Sequence, residues 1–83
     1  MSDRNSYNPK VVGVNSTISV DADEIEGFLA TTAGTVSCVD SRGTTIFTGV
    51  PVTAGSFSRL PFYVGPGATF TTAGGASGTL AVG

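Results

Sequence analysis

The triplet Thr-Ala-Gly occurs three times, as Thr32-Ala33-Gly34, Thr53-Ala54-Gly55 and Thr72-Ala73-Gly74, at separations of 21 and 19 residues. Each separation is about the length of two strands with their turns. Glycine takes positive φ without a steric penalty, so each triplet suits a turn or a strand end. Ser41-Arg42-Gly43 and Gly65-Pro66-Gly67 add further breaks. The punctuation falls about every 8–12 residues, the spacing of an all-β sandwich or barrel.

The segments between breaks read as strands. Val11 to Val20, VVGVNSTISV, is rich in β-branched residues and predicts one strand. GTVSCVDS places Val36 and Cys38 on one face with Ser37 on the other. TTIFTGVPV sets Ile46, Thr48, Val50 and Val52 against Phe47 and Gly49. FSRLPFYV sets Leu60, Phe62 and Val64 opposite Phe57, Arg59 and Tyr63. Proline cannot donate to a strand ladder, so Pro51 and Pro61 assign their strands to edges. GTLAVG offers Leu80 and Val82 as a last apolar face. Asp40-Ser41-Arg42-Gly43 has Asp first and Gly fourth, which fits a type I turn and makes VSCVDSRGTTIFTGV a hairpin. Gly27 interrupts DADEIEGFLA after barely a helical turn, and a strand from Ile25 preceded by an acidic loop fits at least as well. The expectation is an all-β chain: a small antiparallel sandwich or barrel over residues 11–83, with residues 1–10 as an extended N-terminal arm.

Size then limits how such a fold is held together. The chain has 83 residues, one cysteine (Cys38) and no histidine, so neither an intrachain disulfide nor a clustered zinc site is available. Small folds lacking these supports use association with other copies. Charged residues make up 12% of the chain, about half the usual share, and net charge is −2. Arg4, Lys10, Arg42 and Arg59 are scattered and form no basic stripe, which argues against nucleic acid as a partner. No segment approaches the ~18 apolar residues of a membrane span. The polar opening MSDRNSYNPK lacks the apolar core of a secretion signal, so synthesis in a cytoplasm is expected, and Asn15-Ser16-Thr17 reads as a chance match to the glycosylation pattern. From Leu60 to Gly83 there is no charged residue at all. So neutral a stretch predicts contact with something other than water.

Catalysis finds little to work with. Without histidine there is no Ser-His or Cys-His pair. Cys38 falls on the apolar phase of its strand and reads as a buried thiol. Asp21, Asp23, Glu24 and Glu26 invite a calcium reading, but the calcium-loop pattern is absent and a solvated acidic loop is the plainer account. AGGASGT lacks the lysine and helix of a phosphate loop and reads as a hairpin turn. No enzyme, cofactor or metal is expected. The aromatic residues read as core, or as the centre of a subunit contact. The arm and the neutral C-terminal region supply the candidate contact residues: Tyr7, Pro9, Phe57, Leu60, Phe62, Tyr63, Phe70 and Leu80.

Over about four fifths of its length, Ile18 to Val82, the chain resembles the small all-β virion proteins of tailed bacteriophages. The carriers are Ala33-Gly34-Thr35-Val36, the Asp40 to Gly43 turn, Val52-Thr53-Ala54-Gly55 and the Gly-Thr-rich ending. The resemblance implies a structural protein of the virion that assembles with itself. One group in that set is the capsid decoration or cement proteins, trimers on the head exterior that brace adjacent capsomers, with the major capsid protein as partner. Another is the base proteins of tail spikes and fibres. A third reading, independent of the resemblance, is a calcium-dependent carbohydrate-binding β-module built on residues 21–26.

Overall fold

A computed structural model describes residues 8–82. They form eight strands: β1 (Asn8–Val12), β2 (Thr17–Val20), β3 (Glu24–Thr32), β4 (Gly34–Val39), β5 (Thr45–Val52), β6 (Phe57–Tyr63), β7 (Ala68–Ala73) and β8 (Ser77–Val82). No helix occurs among the described residues. One sheet has the order β1-β8-β3-β6 and the other β2-β7-β4-β5. Antiparallel pairing joins β1 to β8, β2 to β7, β3 to β6 and β4 to β5, as in a single long hairpin whose tip is β4–β5. Winding that hairpin on itself brings β8 beside β3 and β7 beside β4. The result is an eight-stranded jelly roll, the sandwich alternative of the fold expected from the spacing of breaks.

The winding explains the triplet period. Two strands carry the chain to the far end and back, so turns about 20 residues apart gather at one end of the sandwich. The backbone N–H of Gly75 donates to Asn15 Oδ1 there, Thr32 Oγ1 donates to the Gly75 carbonyl, and the Gly55 N–H donates to the Ala30 carbonyl. The triplets are therefore turns that form corners between the sheets, and AGGASGT, expected to be a hairpin turn, is such a corner too. Only β4–β5 links consecutive strands of one sheet. At that tip the Gly43 N–H donates to the Asp40 carbonyl at 3.0 Å, and Asp40 Oδ1 accepts from the Thr44 and Arg42 N–H groups at 2.9 Å each. Gly43 has φ of +90°, the left-handed step that follows a type I turn in a tight hairpin.

Those N–H groups, led by that of Thr44, hold the Asp40 carboxyl below the usual carboxylate range, with Arg42 adding its charge. A depressed carboxyl stabilises the fold above its unfolded-state pKa, and that contribution disappears as pH falls through the lower folded-state value. Asp40→Asn is expected to reduce the loss of thermal stability between neutral and strongly acidic pH, read as melting temperature against pH for both proteins.

Each sheet contributes one face to the core. Ile25, Phe28, Leu60, Leu80 and Val82 meet Val20, Val36, Cys38, Val52 and Phe70, all buried. The Phe28 and Phe70 rings touch across the sheets at 5.2 Å between centroids, tilted by 37°, and Phe47 meets Phe70 edge-on at 6.3 Å. The neutral region from Leu60 onward now has a physical account. β7 and β8 are interior strands, each flanked by neighbours on both sides, and a charge on either inner face would lie unpaired in the core. Leu60, Phe70 and Leu80, expected to meet a partner, are instead buried in this chain's own interior. The inner faces of β7 and β8 look into the protomer's own core, while Phe62 and Tyr63 of the same tract are exposed.

Other expectations also shift. Asn8, Pro9 and Lys10, expected in the arm, belong to β1 and pair with Val82, Ala81 and Leu80. Residues 1–7, Tyr7 among them, lie outside the described residues. Val11 to Val20 is two strands in opposite sheets, broken by a turn in which Asn15 takes φ of +49°. In β5 the expected alternation slips, because Val36 pairs with Val50 and Cys38 with Phe47, two steps against three. The extra residue sits at Gly49, φ +66°, and puts Phe47 on the same face as Val50. Pro51 and Pro61 do lie on edge strands, β5 and β6.

One buried polar group locks the β1–β2 turn. Thr72 Oγ1 donates to the Gly13 carbonyl at 2.7 Å and accepts from the Ser16 N–H at 2.9 Å, while the Thr72 N–H donates to the Ser16 carbonyl. Thr72→Val keeps the shape and leaves two backbone groups without partners. It is expected to cost about 1–3 kcal/mol in denaturant unfolding.

Candidate interaction surface

The two outer faces of the sandwich differ in chemistry. On the β2-β7-β4-β5 sheet, Thr17, Thr71, Ser37 and Thr48 line up across the strands. The Thr17 and Thr71 hydroxyls bond each other at 3.0 Å, as do those of Ser37 and Thr48 at 3.2 Å. That face satisfies its own polar groups and presents little apolar area.

The β1-β8-β3-β6 sheet is different. Its register places Val11, Thr79, Leu29 and Phe57 in one row over all four strands, with Pro9, Ala81, Gly27 and Arg59 in the next. Directly opposed residues point to the same side of an antiparallel sheet, so the first row forms one outward band. It spans three strand spacings, roughly 14–15 Å. Val11 is 81% exposed, Phe57 53% and Leu29 43%. Phe57 lies over Gly27: a Cβ at that glycine would fall 2.5 Å from Phe57 Cζ. The glycine thus seats the ring flat on the sheet. Tyr63 lies farther along the same face of β6, beyond outward Arg59 and opposite Glu24, and is 82% exposed.

At the β1 side of this face is an open pocket of about 300 Å³. Residues Val11 to Val14 wall it, Ser77 to Thr79 of β8 form its floor, and Thr31 of β3 closes the far side. Gly78 is glycine because a Cβ there would point into the core, onto the Leu29 carbonyl and the Phe28 ring, so at this position only backbone reaches the pocket.

Of the residues expected at a contact, Pro9, Phe57 and Tyr63 are exposed on this sheet. Phe62 is partly exposed, but its ring leans on Phe47 at 5.6 Å and closes the core where β5 and β6 face each other. Sequence reasoning missed Val11, Val14 and Leu29. Their signal was the consecutive apolar pairs Val11-Val12 and Phe28-Leu29, since two successive strand residues cannot both point inward.

The candidate chemical groups fall elsewhere. Asp21 and Asp23 lie in the β2–β3 loop, and Glu24 and Glu26 on β3. No three His, Cys, Asp or Glu side chains gather into a possible metal site among the described residues. Cys38 is buried, and burial, with the Asp40 charge adding to it, pushes its thiol up to about 11. At neutral pH it is a protonated core side chain and no nucleophile. The same sheet that carries the outward row also presents a projecting tyrosine and the pocket. No family model matches the chain, and neither does any curated protein or solved structure.

Proposed function

We propose that the protein is a structural component of a bacteriophage virion, a homotrimeric decoration or cement protein bound to the outside of the capsid and reinforcing contacts between capsomers. The observation that carries this reading is the outward row of Val11, Leu29 and Phe57 across the sheet, on a chain that has only four basic and six acidic residues. Contiguous exposed apolar surface on so small a protein marks a contact site. The jelly roll supports the reading by analogy, since viral capsid proteins use it, though lectin domains and cupins use it as well.

A clamp of this kind needs contact area and rigidity. The molecule is a slab of 36 × 29 × 17 Å, and its broad face is large enough for the ~800 Å² that each partner covers in a standard interface. A protein that binds the assembled shell and not its free subunits stabilises the shell by mass action, by the same linkage through which a ligand stabilises a folded state. Quantitative mass spectrometry of purified particles tests the assignment. Hundreds of copies per particle are expected for a head protein. A handful would move it to a tail adaptor or fibre base, and none would remove it from the virion.

A further inference from the structure

We propose that Tyr63 of one copy seats in the pocket beside Val11 and Val14 of the next copy, and that this contact builds the oligomer. The inference rests on the self-associating reading above and assigns its interface. β6, which carries Tyr63, and β1, which walls the pocket, are the two opposite edges of the same sheet. A side chain at one edge cannot reach a pocket at the other within a single protomer, so Tyr63 can meet such a pocket only on another copy. A projection on one edge and a recess by the other define a head-to-tail contact, the kind that repeats around a ring.

The chemistry of the two parts matches. Tyrosine has an apolar ring and a polar tip, and it carries a large share of binding energy where it fills a pocket. The pocket offers valine side chains at one wall and the hydroxyl-bearing residues Thr31, Ser77 and Thr79 around the rest. Its volume of about 300 Å³ is ample for one phenol ring, since about 150 Å³ already holds a benzene. Tyr63 is 82% exposed. It therefore has ring surface to gain from burial, whereas Phe57 already lies against Gly27. No charged residue lines the pocket, so seating the ring buries no ion.

Sedimentation equilibrium of the full chain tests this with four proteins. The wild type is expected to be oligomeric at tens of micromolar, and Tyr63→Phe to remain so with weaker association. Tyr63→Ser and Val11→Arg should each be monomeric, with association at least tenfold weaker. Both replaced side chains point outward, so the melting temperature of either monomer should fall by no more than a few degrees. The decisive sample is an equimolar mixture of Tyr63→Ser and Val11→Arg. One intact tyrosine then meets one intact pocket, and a one-to-one dimer is expected. If both single variants stay oligomeric, or if the mixture stays monomeric, this contact is wrong, and the virion assignment stands or falls on particle copy number alone. A trimer that depends on Tyr63 but is missing from particles would leave the contact standing and overturn the virion assignment. A monomeric wild type would overturn the contact and the trimer together.

Discussion

Phe70→Ala is expected to destabilise the protein by about 3–5 kcal/mol, the usual cost of emptying a buried aromatic site. A chain of this length has a total stability of roughly 4–12 kcal/mol, so this one change removes a large part of it. The expectation follows from position. Phe70 is fully buried on β7, an interior strand, and its ring contacts both Phe28 from the opposite sheet and Phe47 from β5. Truncation opens a cavity at the meeting point of both sheets, where neither backbone can move inward to fill it. Thermal unfolding should shift down by at least about 12 °C, since 1 kcal/mol corresponds to roughly 4–8 °C in a domain of this size. Phe62→Ala supplies the contrast. That ring is partly exposed and touches only the edge of the core, so its loss should cost well under half as much.

Gly78→Ala is the second large effect, by the opposite mechanism. A methyl group at Gly78 would overlap the Leu29 carbonyl oxygen and come within 2.9 Å of Ala30 Cα and Phe28 Cζ. Two of those three atoms are backbone of the adjacent strand β3, so no rotamer change relieves the overlap and the β3–β8 ladder must open. Overpacking costs typically 1–3 kcal/mol and occasionally more. Because the obstruction here is main chain, the expected loss is about 3 kcal/mol or above. Gly13→Ala is the control: its nearest neighbour is the Ser16 hydroxyl at 3.3 Å, which can give way. Chemical denaturation of both variants should show a large drop in midpoint for Gly78→Ala and a small one for Gly13→Ala. A Gly78→Ala protein as stable as the wild type would show that β8 and β3 do not approach as described.

Much of the fold was legible in the sequence because its strongest signals are local. Breaks every two strands, the Asp40 turn and the prolines of β5 and β6 are each decided within a few residues by backbone chemistry. The failures came where the decision is not local. Which sheet a strand joins depends on how the long hairpin winds, so VVGVNSTISV read as one strand although its halves lie in opposite sheets. In β5 a single left-handed glycine, Gly49, reversed the face of Phe47, and alternation alone cannot reveal a bulge. The charge-free ending was expected to face something other than water, yet only its inward residues do, and they face this chain's own core. An interior strand and a subunit interface leave the same mark on composition, and only the strand order tells them apart. At the candidate surface, Phe57 and Tyr63 could be read from alternation. The pocket could not, because its lining comes from β1, β3 and β8, which are distant in the sequence.

A reconstruction of the parent particle tests the proposed role most directly. The account predicts three-lobed density on the outer surface of the capsid, each lobe about the size of the 36 × 29 × 17 Å slab, with the β1-β8-β3-β6 face turned toward a neighbouring lobe or the shell. Particles that contain the protein yet show only a bare shell exterior, or that place it as isolated single lobes with that apolar face open to solvent, would contradict it.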